Sequence, residues 1–415
     1  MKNLSNLSRR DMLALSMKAS LATVAATQMP FAFANEKMPY GSAYSYNPDF
    51  KYLRNPATVF DFGLTPDQEE HAKELHKSIV VYDALMECSY YEDLVKLSKL
   101  GGLTAGHMSL GITGLNNFRP DQLPAPDDWW SWENLVRDMA FIQNEIRGRK
   151  DAMICTSHAD IMQAHKTGQV GFIPTTQNIQ FMGRDTSKIN EAYAMGLRAI
   201  QLTYNPSNMV GSGSLELPER RFGLSELGHR AVGTMNDLGM IVDTGHCSPE
   251  TMIAAANASS DPIIISHAGM QSKIKQFRAT TDEALRVVAD KGGVAGVISV
   301  PAAIAGSDKC TVNDYLDNIE HAINVAGIDH VGFGSDFIIA ATFEAILSAP
   351  SWDPAVVAQI GSFEVWPWSD GHVGYENTSA YPNLTRGLIA RGYSDEDIAK
   401  VMGGNFLRVF KEVVG

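Results

Sequence analysis

With 415 residues, 45% hydrophobic and 20% charged, the chain can build one large α/β domain or two ordinary ones, and wholesale disorder is excluded. Its 34 basic residues against 47 acidic ones give a net charge of −13. Such a surface repels phosphate backbones and anionic lipids, so no nucleic-acid partner and no polybasic membrane role is expected. Four cysteines, Cys88, Cys155, Cys247 and Cys310, are too few to act as a disulfide framework.

The first 34 residues differ from the rest, carrying Lys2, Arg9, Arg10 and Lys18 against Asp11 alone. Paired arginines in Ser8-Arg9-Arg10-Asp11-Met12-Leu13 precede a weakly apolar run, Leu13 to Ala26, and a small-x-small pattern, Ala32-Phe33-Ala34. That order is the one found in twin-arginine signal peptides, so residues 1–34 are expected to engage the twin-arginine export machinery and deliver a folded protein to the periplasm. The competing reading is an amphipathic first helix of the mature fold. No later run approaches the ~18 apolar residues of a membrane span, so no stable span is expected. Residues 35–65 read as a polar N-terminal extension, and 66–415 as one domain without repeats or linkers.

Within that domain, eight short apolar runs alternate with helical patterns. The runs are Ser78 to Asp83, Gly102 to Leu110, Gly171 to Thr176, Arg198 to Thr203, Met240 to Asp243, Pro262 to Ser266, Gly293 to Ser299 and His330 to Ser335. Apolar residues at i, i+3, i+4 mark helices in Leu224 to Leu238, Thr281 to Asp290 and Val312 to Ala326. Eightfold alternation predicts an α/β fold, a closed parallel (β/α)8 barrel, in preference to an open doubly wound sheet. No G-x-G-x-x-G follows a first strand, which argues against a dinucleotide site. Ser248 before Pro249 predicts a capped helix start just beyond His246. Ser394 predicts a cap for the last helix, with Ile398, Val401, Met402, Phe406, Val409 and Phe410 as its buried stripe.

In such a barrel the C-terminal strand ends converge on one mouth. The polar residues at those ends are Asp83, Glu87, His107, Gln177, Tyr204, His246, His267 and Asp336. His246 and His267 occupy equivalent places on consecutive strands, and with a carboxylate across the barrel they form a candidate divalent-metal site, since imidazole and carboxylate are usual zinc ligands. Each of these residues also has a purely structural alternative. Trp366 and Trp368 read as packing or rim residues.

Five segments make a family visible: Gln201-Leu202-Thr203-Tyr204-Asn205, Asp243-Thr244-Gly245-His246-Cys247-Ser248, Ile264-Ile265-Ser266-His267-Ala268, Val331 to Phe337, and Gly403 to Phe410. In order and spacing they resemble the membrane (renal-type) dipeptidase family of the amidohydrolase superfamily, over roughly residues 66 to 413, as a divergent exported bacterial member. The resemblance implies a barrel with a binuclear zinc centre that hydrolyses dipeptides. It implies that His246 and His267 hold a metal, that Asp336 moves the proton, and that Arg278 receives a substrate carboxylate, a task suited to a planar guanidinium. Tyr204, Asn205 and His107 are expected on the substrate side.

Three departures from the family pattern carry consequences. Leu85-Met86-Glu87 stands where the family has His-x-Asp, Gln177 replaces the bridging glutamate, and Tyr204 replaces a pocket histidine. Two adjacent cations need anionic ligands between them, so one ion, most simply zinc, is expected on His246 and His267, with Asp336, Gln177, Glu87 or water completing its shell. The leading expectation is hydrolysis of a dipeptide or related amide bearing a carboxylate. The alternatives are a tailoring or maturation enzyme for a peptide-derived metabolite such as a siderophore, and, last, a non-catalytic binding protein. A homodimer and a ligand role for Cys88 or Cys247 are left open by the sequence.

Overall fold

The computed structural model describes residues 55–87, 93–111, 130–273, 278–305, 310–337 and 373–415. The leader, residues 35–54, Cys88, Trp366, Trp368 and the side chain of Glu87 lie outside what is described.

Among the described residues ten parallel strands are present: β1 Tyr82–Glu87, β2 Ala105–Ser109, β3 Ala152–Ile154, β4 Val170–Thr176, β5 Ala199–Gln201, β6 Ile241–Asp243, β7 Ile264–Met270, β8 Ala279–Thr280, β9 Val294–Ile298 and β10 Val331–Gly334. Eight of them run in the order β1-β2-β4-β5-β6-β7-β9-β10, while β3 attaches to β4 and β8 to β7. This is the expected (β/α)8 barrel, strand for strand. The two additional strands, of three and two residues, lie off the barrel path. Between β10 and β1 the seam is bridged by Asp336 N–H donating to the Leu85 carbonyl (2.7 Å) and Ser335 N–H donating to Asp83 Oδ1 (2.9 Å).

Two boundaries differ from expectation. The first strand is displaced toward the C-terminus, because Ser78 closes the helix Pro66–Ser78, which a Thr65/Gln68 capping box and Pro66 initiate. The β1 ladder starts at Tyr82 opposite Ala105 and continues to Glu87, so Leu85 and Glu87 lie within the strand. The last helix is also broken: Ser394 caps Asp395–Ala399, then a π-helical turn, Lys400–Gly404, precedes Asn405–Val413. Gly403 explains the break, since a Cβ there would stand 2.4 Å from the Val80 carbonyl oxygen and 2.7 Å from the Tyr82 nitrogen. Every residue of the expected stripe is nonetheless buried, each contributing about 1.5–3 kcal/mol.

The helices Glu226–Leu238, Asp282–Asp290 and Val312–Ala326 follow the apolar periodicity. Ahead of the barrel, Phe60 is tied to the helix Tyr381–Ala390, its N–H donating to Asn383 Oδ1 (3.3 Å) and its carbonyl accepting from Arg386 Nη1 (2.7 Å). Among the described residues no helix is long and apolar enough to cross a membrane.

Candidate metal and active site

The site is built where β6 and β7 end. Asp243, the last residue of β6, accepts through Oδ1 from the N–H groups of Gly245 and Ser266, both at 2.9 Å, which folds the Thr244-Gly245 turn and delivers His246. On β7 the ladder to β9 shifts register between Ile265 and Ala268, a bulge of the kind that re-aims a side chain. His267 sits in that bulge. Gly296 on β9 and Gly334 on β10 make the space, because a Cβ on either would lie 2.0 or 2.1 Å from the Ser266 carbonyl oxygen. The two buried imidazoles meet with Nε2 atoms 2.9 Å apart.

Which nitrogens carry protons follows from the partners. His246 Nδ1 lies 2.6 Å from Asn205 Oδ1, an acceptor, so Nδ1 is the protonated nitrogen. His267 Nδ1 lies 2.8 Å from Ser266 Oγ. The Ser266 hydroxyl has a single hydrogen, and its side chain also bonds the Asp243 carboxylate. A hydrogen bond to a charged acceptor is about twice as strong as a neutral one, so that hydrogen goes to Asp243 and His267 Nδ1 donates to Ser266. Both Nε2 atoms are then bare lone pairs facing each other. Adding a proton is opposed, since burial first and the Arg278 charge second hold both histidines well below the ordinary imidazole range. Two lone pairs at this separation call for a cation between them.

One further acceptor faces the pair, and two amide oxygens are buried without partners among the described residues. Asp336 Oδ2 is 3.8 Å from His267 Nε2, and burial raises its carboxyl to about 6 against the opposing pull of Arg278. Gln177 Oε1 and Gln201 Oε1 are buried and find no hydrogen-bond partner among the described residues, an uncommon state for amide oxygens. The buried Arg278 guanidinium donates to the carbonyls of Gly245 (2.6 Å) and His267 (3.3 Å), bracing both histidine turns. Among the described residues, three that are not glycine have positive φ, namely Trp130 (55°), Asn205 (57°) and Asp336 (54°). Trp130 packs on Tyr204, Asn205 holds His246 and Asp336 faces His267, so local backbone strain collects around this one cluster.

The structure thus unites His246, His267, Asp336, Arg278, Tyr204 and Asn205. Other expected site residues have different settings. Asp83 is the clip of the barrel seam: its carboxylate accepts from Ser335 N–H, Ser335 Oγ, Leu85 N–H (3.0 Å) and Tyr381 Oη (2.7 Å). His107, expected to touch substrate, is buried and bonded to the Tyr82 hydroxyl (2.8 Å) and the Ala84 carbonyl, and burial pushes it down to about 3. Its position is mid-strand on β2, close enough to His267 for the two rings to influence each other electrostatically. Asn205, expected on the substrate side, turns its carbonyl oxygen to His246. Leu85 is buried and apolar. Cys247 accepts from Thr203 Oγ1 (3.2 Å), and burial pushes its thiol up to about 12, so it stays a protonated thiol at neutral pH. Among the described residues no group of three His, Cys, Asp or Glu is arranged to hold a metal; the set consists of two imidazoles with Asp336 beside His267.

Sequence reading missed Asp243, Ser266, Gln201 and Trp130. Ser266 and Asp243 had a signal, since they stand one and three residues before the two histidines. Trp130 and Gln201 had none.

Comparison with known proteins gives one direction. The family model described as Membrane dipeptidase (Peptidase family M19) matches residues 131–362 and 366–414. Dipeptidase tcpJ of Claviceps purpurea is 27% identical over 365 residues, which cover 85% of this chain and 78% of that protein. Among solved structures, an amidohydrolase from Pseudomonas aeruginosa superposes with a TM-score of 0.69 at 25% identity, covering 83% of this chain and 99% of its own. A structure from the same organism described as the probable dipeptidase PvdM gives 0.68 at 22% identity, covering 84% and 99%.

Proposed function

From a chain that belongs to the membrane dipeptidase family, peptidase family M19, we propose a hydrolase that cleaves a dipeptide or related amide at the barrel mouth with a single divalent ion, zinc in the first instance. One observation carries the metal: two Nε2 lone pairs 2.9 Å apart, with both Nδ1 atoms already committed. Metal–nitrogen bonds of ~2.0–2.1 Å reach both from one point. His246 and His267 would hold the ion, with Gln177 Oε1 as a further donor. When bound, such an ion polarises a carbonyl and lowers the pKa of water.

The protein's own groups perform the remaining tasks. Asp336, with its carboxyl near 6, is ionised at neutral pH and able to take a proton and return it. Arg278 supplies a fixed positive charge and a planar fork for a substrate carboxylate. Neutral Leu85 and Gln177 remove a ligand and a bridge, which is why one ion is proposed and not two. The twin-arginine pattern of residues 1–34 supports export to the periplasm. A second reading, tailoring of a peptide-derived metabolite, is favoured by the same departures at Leu85, Gln177 and Tyr204.

The test is elemental analysis of purified protein with a panel of dipeptides. One zinc per chain and turnover abolished by His246→Ala support hydrolysis. Zinc binding without turnover of any dipeptide selects the tailoring reading, and equal turnover by His246→Ala removes the site assignment.

A further inference from the structure

We propose that the dipeptide Tyr204-Asn205 is a clamp that fixes both the plane and the tautomer of His246. Successive side chains of an extended chain leave on opposite faces. Here the chain turns instead, with Asn205 at φ 57°, a left-handed conformation that asparagine tolerates better than most residues. Both side chains therefore reach one imidazole. Tyr204 covers its face, with ring centroids 4.0 Å apart and planes 26° from parallel. Asn205 takes its edge through the 2.6 Å bond from Nδ1.

The clamp is itself anchored. Tyr204 and His246 form an isolated parallel β-bridge, the Leu215 N–H donates to the Asn205 carbonyl (2.9 Å), and Ser214 Oγ donates to Asn205 Oδ1 (3.2 Å). Trp130 packs in turn on Tyr204 at 4.4 Å. With its ring committed to His246, Tyr204 is a positioning residue, not a replacement for the substrate-contacting histidine that the family pattern places there. The tautomer is what makes this functional: only a ring protonated at Nδ1 presents a bare Nε2.

The zinc arm of the test rests on the metal reading, and the tautomer arm does not. Asn205→Gly keeps the left-handed backbone accessible while deleting the acceptor, and Asn205→Asp restores an acceptor. In metal-free protein, side-chain 15N–1H correlation spectra should show His246 as a pure Nδ1–H tautomer in the parent and in Asn205→Asp, and as a mixture in Asn205→Gly. By competition with a chelator, zinc affinity should fall ~10–100-fold in Asn205→Gly and stay within ~3-fold in Asn205→Asp and Tyr204→Phe. A parent protein with His246 protonated at Nε2 overturns the clamp even if Asn205→Gly fails to fold. So does a folded Asn205→Gly variant with unaltered tautomer. If the parent takes up no zinc while His246 is pure Nδ1–H, the metal reading fails and the clamp stands.

Discussion

The barrel seam and the barrel mouth both bury polar groups, and they treat them in opposite ways. At the seam, Asp83 receives donors from Ser335, Leu85 and Tyr381, which recovers much of what burying a carboxylate costs. At the mouth, His246 Nε2 and His267 Nε2 face each other as acceptors, and Gln177 Oε1 and Gln201 Oε1 are buried without a hydrogen-bond partner among the described residues. Saturated polar groups hold strands together, and under-supplied acceptors mark where something else is meant to bind. The contrast separates structure from function more reliably than residue type does, since Asp83 and Asp336 are both buried aspartates with carboxyls raised to about 6.

The sharpest way to break that contrast is at the seam. Asp83→Ala strands the Tyr381 and Ser335 donors, and urea unfolding should show a loss of about 3–5 kcal/mol, more than for any single acceptor at the mouth. Next in size is the pH profile. Burial raises the folded-state pKa of Asp336 to about 6; a base must be ionised, so kcat/KM should drop about tenfold per pH unit below 6 and level off above it. Replacement by Asn should leave a low, flat profile. At the mouth, Gln177→Glu adds the missing negative charge, and zinc affinity measured against a chelator should rise about tenfold. The smallest effect is expected at His107→Gln: stability should fall by about 1–2 kcal/mol through the lost Tyr82 bond, while kcat stays unchanged in a steady-state assay. A large loss of kcat there would return His107 to the substrate side.

Much of this was readable along the chain. Eight apolar runs marked eight barrel strands, and His246 and His267 stood out because each follows or ends such a run. Ser248-Pro249 fixed the helix start beside His246, as its side-chain cap on Thr251 N–H bears out. What misled was position without depth. Asp83 lies on the same strand as Glu87 yet serves the seam, because its donors Ser335 and Tyr381 come from 252 and 298 positions away. β8, two residues long, left no trace at all.

The sequence by itself determined the barrel and the short-range geometry of the site, since strand alternation, helix caps and the turn from Asp243 to His246 are interactions among near neighbours. Only the tertiary structure decided the roles of the polar residues. The seam joins Asp83 to Ser335 across 252 positions, and the proton of His246 is placed by Asn205, 41 residues away. A hydrogen-bond partner so distant in the chain has no local signature, and for a buried imidazole that partner decides which nitrogen is left to bind.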